Sequence, residues 1–126
     1  MATREQFELA GYYGRAYVIN DRGLVKDLGN NQYQVLSTDG KTRYTVDLSD
    51  HEHPKCDCVR FRGNLATHLA AREGKRVFDV GVTCKHVLAV KAYRGEIDLV
   101  ATIKAMAEPL RARARAAAKG ARMQYH

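Results

Sequence analysis

The sequence predicts an α+β fold: a β-hairpin flanked by helices and gathered round one metal centre. Three observations lead there. All three cysteines fall in two short pairs with one histidine, Cys56-Asp57-Cys58 and Cys84-Lys85-His86. Upstream, two stretches of alternating apolar residues flank Asp39-Gly40, a dipeptide suited to tight hairpins because a type I′ turn needs φ > 0 at both central positions. Before and after this centre, apolar residues recur at helical spacing. At 126 residues the chain makes a domain with a modest core, which a bound metal can supplement.

Thr3-Arg4-Glu5-Gln6 has capping-box spacing. Phe7, Ala10, Gly14 and Tyr17 follow at helical intervals, so residues 4 to about 20 form an amphipathic helix. Gly11 and Gly14 cost it about 1 kcal/mol each relative to alanine, and they let another element approach closely. Gly23 supplies a stop. A short strand over 24–28 ends at Gly29-Asn30-Asn31. Strands over 32–37 and 42–48 then make the hairpin. A two-residue loop at Asp39-Gly40 pairs Val35 with Tyr44 and Tyr33 with Val46. All four then share one face, with Gln34, Arg43 and Thr45 on the other, so turn chemistry and apolar pattern select one register.

Residues 49–55 are polar and include Pro54. A helix is expected over 64–73 with Asn64 as its cap, then an extended piece over 77–80. Thr83 stands where an N-cap belongs, and Val87, Leu88 and Val90 carry a helix to about Tyr93. Cys84 and His86 thus sit at a helix N-terminus, where free N–H groups favour a thiolate. Asp98 caps a further helix through Leu99, Ile103, Met106 and Leu110. Pro109 kinks or breaks it by removing one hydrogen bond and disfavouring helix at Glu108. From Arg111 onward the chain is Ala/Arg-rich, with good helix propensity and little to pack.

Three thiolates and one imidazole complete a tetrahedral shell for Zn²⁺, with sulfur at about 2.3 Å and nitrogen at about 2.0 Å. No position is left open for a substrate, so the site reads as structural and the protein as a non-enzyme. A catalytic thiol needs an exposed, low-pKa cysteine beside a base. A redox role for Cys-x-Cys departs from the usual Cys-x-x-Cys. His51 and His53 fit an exposed polar loop, an alternate metal ligand being the other meaning. Asp57 is expected to face solvent, and His68 carries no assigned role.

The two pairs, with a hairpin before them and an apolar helix after, resemble the SWIM zinc finger, whose signature is C-x-C, a variable gap and C-x-H on a ββα scaffold. Gln32-Tyr33-Gln34-Val35-Leu36-Ser37, Tyr44-Thr45-Val46, Phe61 and Cys84-Lys85-His86-Val87-Leu88-Ala89-Val90 follow that pattern, over about residues 15–93. The gap of twenty-five residues is near the family's long end, and the C-terminal helix lies outside the likeness. The resemblance implies a zinc-stabilised ββα core with Cys56, Cys58, Cys84 and His86 as ligands. It also implies an accessory module, of the kind found with helicase-like ATPases and with transposase-like and recombination proteins, that binds DNA or proteins. Residues 1–95 then form the N-terminal helix and finger domain, and 96–126 a basic helical extension.

The formal net charge is +7. Lys104, Arg111, Arg113, Arg115, Lys119 and Arg122 face only Glu108 in the last segment. On a continuous helix all but Arg113 fall within about 90° of arc. With Lys85, Lys91 and Arg94, this stripe suits the phosphates of nucleic acid, DNA before RNA; a solvated helix face accounts for the same residues. Tyr33 and Tyr44 read as core, and the seven tyrosines define no exposed stacking platform. The alternative is a protein-interaction adaptor, docked on a larger DNA-processing partner through Leu99, Ile103 and Met106. No signal peptide and no apolar run of about eighteen residues is visible. The expectation is an intracellular protein with no membrane and no small-molecule substrate.

Overall fold

A computed structural model of the chain describes residues 2–124. In chain order they form α1 (Arg4–Asp21), β1 (Val25–Gly29), β2 (Gln32–Leu36), β3 (Arg43–Asp47), β4 (Lys55–Cys56), α2 (Val59–Arg72), α3 (Lys85–Tyr93), α4 (Leu99–Ala105) and α5 (Glu108–Gln124). The fold is α+β, with a four-stranded antiparallel sheet in the order β1-β2-β3-β4. Helix α3 packs on both the sheet and α1, and α1 packs in turn on α5. Ile19, Val35, Val46, Val87 and Val90 are fully buried where these layers meet. Among the described residues, no helix is long and apolar enough to cross a membrane.

The capping box of α1 forms as the sequence predicts: Gln6 N–H donates to the Thr3 hydroxyl, and Thr3 N–H to the Gln6 side chain. Gly23 takes φ +67° just beyond the helix, the left-handed conformation that ends helices at low cost. Asn20 ties α1 to α3 by donating to the Ala89 carbonyl at 2.9 Å.

The hairpin register is the expected one, Val35 opposite Tyr44 and Tyr33 opposite Val46. Its turn differs. Among the described non-glycine residues only Asn30 and Asn31 take positive φ, so Asp39 is excluded from a type I′ turn. Instead Gly40 N–H donates to the Ser37 carbonyl, and the Asp39 carboxylate accepts from the Lys41 and Thr42 amides. The tight turn belongs to β1–β2, where Gly29 pairs with Gln32 across Asn30-Asn31. Both asparagines there hold the positive φ that a type I′ turn requires.

Four further elements differ from expectation. Strand β4 is new; it pairs Cys56 with Val46. Helix α2 begins at Val59 rather than residue 64, with Cys58 as its N-cap. Asn64 lies inside the helix and is buried, donating to the Thr83 carbonyl at 2.8 Å and the Tyr12 hydroxyl at 3.1 Å. Residues 77–80 belong to no strand. The N-cap of α3 is Cys84, one residue after Thr83, whose hydroxyl is buried without a partner.

Met106 is extended between α4 and α5, so Pro109 stands in the first turn of a new helix rather than in a kink. Far from having little to pack, α5 buries Ala114, Ala117 and Ala121. These small side chains meet α1 where Ala10, Gly11 and Gly14 are buried. The Thr38 hydroxyl donates to Gln124 at 3.0 Å, holding the end of α5 against the hairpin turn.

Candidate metal centre

Local structure delivers each of the four ligand-type side chains. Pairing with Val46 places Cys56 at the edge of the sheet. Asp57 is exposed and holds the bend between the cysteines: its carboxylate accepts from Thr45 N–H at 3.0 Å, and its own N–H donates to the Thr45 carbonyl. Cys58 caps α2, its sulfur accepting from Phe61 N–H at 3.2 Å. Cys84 caps α3, and His86 follows in its first turn. Both ligand pairs therefore end at helix N-termini, where aligned N–H groups favour negative sulfur.

The three sulfurs and one ring nitrogen lie within 4.8 Å of one another. His86 Nδ1 is 3.8 Å from both Cys56 Sγ and Cys84 Sγ. Tetrahedral bonds of the usual zinc lengths give edges of about 3.5–3.8 Å, so the spacing suits one central ion. Relative exposures are 6%, 4%, 0% and 3% for Cys56, Cys58, Cys84 and His86, which removes bulk water from the group. The His86 ring lies against Tyr44, centroids 4.4 Å apart. An imidazole that coordinates through Nδ1 keeps its proton on Nε2, here buried without a hydrogen-bond partner.

Crowding splits the three thiols. Hydrogen bonds from Cys56 and then Cys84 hold Cys58 far below the usual thiol range. Cys56 is pushed up to about 12, chiefly by its hydrogen bond to Cys58. Cys84 is pushed up further by Cys56, Cys58 and burial, in that order. Only one thiolate is comfortable in so small a space, and a cation among the sulfurs is what lets all three ionise. Sulfur with imidazole suits a borderline or soft ion and not Mg²⁺ or Ca²⁺, which take oxygen ligands. These four residues can hold a metal ion, and an ion held there would tie the sheet edge to α2 and α3.

The other histidines among the described residues lie outside the group: exposed His53 contacts Asp50 at 2.9 Å, and His68 contacts Asp79 at 3.1 Å. The seven basic residues named from sequence fall into separate settings. Lys85 is half-buried beside the metal centre, and Lys91 is half-buried on α3. Arg94 pairs with Glu96 at 2.7 Å and lies over Tyr33. Arg111 and Arg115 both pair with Glu108, Arg122 with Asp21, and Lys119 is exposed.

Sequence reasoning missed a cleft of about 320 Å³ beside the centre, lined by Glu8, Tyr12, Arg15, Tyr44, Arg60 and Lys85 together with Cys58 and His86. Arg113 is the basic residue that departs from the α5 stripe, and it departs because it faces α1 at Gly11.

No protein-family model, no curated protein and no solved structure matches the chain. Fold and site define its class as a small α+β domain with a buried metal-binding group of three cysteines and one histidine, consistent with a zinc finger.

Proposed function

We propose that this is a zinc-stabilised, SWIM-like nucleic-acid-binding module, DNA before RNA, acting as a stand-alone subunit without catalysis of its own. The buried four-ligand group carries this reading, because it uses every cysteine of the chain. Tetrahedral sulfur and nitrogen ligation is the usual setting of structural zinc. With the coordination shell closed, function moves to the surface, which carries the excess of positive charge. Residues 1–95 are then the metal-organised domain and 96–126 a basic helical extension. Reduced thiols suit an intracellular setting. Fluorescence anisotropy with labelled DNA and RNA duplexes tests the reading. Affinity that falls linearly with log salt, by about 0.9 in slope per neutralised DNA phosphate, supports it; no binding at low salt removes it.

The adaptor alternative draws support from a different surface than α4. Leu99 is buried in the core, and Ile103 and Met106 are half-buried. Val59, Leu65, Leu69, Val77 and Phe78 on and after α2 are five of the exposed apolar side chains, against Val100 alone on α4, and Val59, Val77 and Phe78 line one groove; exposed apolar surface of this kind serves protein contacts. Charge substitution at Leu69 and Phe78 that releases a co-purifying protein, with DNA binding absent, favours the adaptor.

A further inference from the structure

We propose that the cleft between α1, α2 and the start of α3 is a phosphate-binding site, with Arg15 of its lining as the principal contact and Arg113, beside Arg15 at Gly11, as the second. This rests on the nucleic-acid reading above and deepens it, placing the phosphate contact in the cleft instead of on the outer stripe of α5.

The two guanidinium groups converge on one point. A Cβ at Gly11 would stand 3.3 Å from Arg113 Nη2 and 3.4 Å from Arg15 Nη1. Arg15, Lys85 and Arg60 line the cleft, and Arg113 lies outside that lining, next to Arg15. Glu8 is the carboxylate on its wall, and it is engaged at long range by Arg60 at 4.0 Å and by the Tyr12 hydroxyl at 3.3 Å. Among the described residues, Arg15, Lys85 and Arg113 take part in no ion pair. All three are half-buried.

Charge is out of balance here. A dication held by three thiolates leaves that centre with one net negative charge, and Glu8 adds a second. Three cations line the cleft with them, and Arg113 adds a fourth beside Arg15. Burying like charges without partners is unfavourable, and burial, then Arg113, depresses the Arg15 pKa. An anion entering the cleft relieves that repulsion. A phosphate group suits it best, because paired guanidinium forks bind phosphate oxygens in bidentate fashion. On α5, by contrast, Arg111 and Arg115 share Glu108, and Arg122 has Asp21. Each of these guanidinium groups already has a carboxylate partner, and two carboxylates offset part of the charge of the three. The phosphate is that of a nucleic-acid backbone; a free polyphosphate presents the same chemistry, and the test separates the two.

The test uses the full, zinc-loaded chain with two probes: a labelled mixed-sequence DNA duplex followed by anisotropy, and pyrophosphate followed by calorimetry. Arg15→Gln and Arg113→Gln are each expected to weaken duplex binding about tenfold and to flatten the salt slope by about 0.9. The double variant Arg111→Gln/Arg115→Gln is expected to change affinity by less than about threefold. Zinc content should persist. The melting temperature without phosphate should hold or rise in the cleft variants, since a repelling cation is removed, whereas a merely structural arginine would lower it. Should Arg15→Gln misfold, Arg113→Gln carries the comparison. Duplex binding undiminished in both cleft variants overturns the cleft and leaves the nucleic-acid reading standing. Pyrophosphate binding that Arg15→Gln abolishes, with no duplex binding, upholds the cleft and overturns that reading. Binding of neither probe overturns both.

Discussion

Gly14 and the backbone of Ala114 stand so close that a Cβ on Gly14 would overlap the Ala114 carbonyl oxygen. The crossing of α1 and α5 depends on that missing side chain. In an open helix, Gly→Ala stabilises by about 1 kcal/mol through propensity. Here the overlap is with backbone, which no rotamer change relieves, so Gly14→Ala is expected to cost about 1–3 kcal/mol. Gly120, in α5, has nothing within 4 Å of its Cβ position, and Gly120→Ala is expected to stabilise by up to about 1 kcal/mol. Urea melts of the two variants check the pair, and equal effects would remove the crossing from the account.

Asn64 links three parts of the molecule by donating to Thr83 and Tyr12. Asn64→Leu leaves the Thr83 carbonyl without that donor, directly before Cys84. A loss of about 1–3 kcal/mol is expected. The neighbouring Thr83 hydroxyl is buried without a partner, so Thr83→Val is expected to be neutral or stabilising by thermal melting.

Acid stability has two contributions whose signs agree. Protons compete with metal for thiolate and imidazole, so metal affinity falls with pH. Separately, Asp47 is held below the usual carboxylate range, first by the Ser49 hydroxyl and then by the Ser49 amide. A carboxylate with a depressed folded-state pKa contributes stability above its unfolded value near 4, which is lost as pH falls through the folded one. Asp47→Asn is therefore expected to be less stable than the parent at pH 7. The difference should close below about pH 4. Denaturant melts across pH check this, and a gap that widens on acidification would contradict it.

The ligand pairs were legible because metal spacing survives in sequence whatever the fold does between them. The hairpin register was legible for a similar reason: Tyr33, Val35, Tyr44 and Val46 alternate, and a one-residue slip would expose them. Its turn was misread because Asp39-Gly40 and Asn30-Asn31 carry similar turn chemistry, and only the second forms a two-residue turn, Gly29 opposite Gln32, whereas the first lies in a longer loop between Leu36 and Arg43. The start of α2 was hidden because its cap is the Cys58 sulfur, which is outside the Ser, Thr, Asp and Asn set that signals an N-terminus. The docking of α5 was hidden most deeply. Ala114, Ala117 and Ala121 give no apolar periodicity to read; Gly11 and Gly14 announced a close approach to α1, but not which element makes it.

The central claim, that a metal at Cys56, Cys58, Cys84 and His86 holds this fold, is tested most directly by elemental analysis joined to thermal melting of the same samples. One zinc per chain is expected in the parent. Cys84→Ser, or removal of the ion by a chelator, should abolish both the zinc and the cooperative transition, because structural zinc contributes about 10–16 kcal/mol of apparent binding free energy at neutral pH. An unchanged cooperative melt in the zinc-free chain would contradict the account.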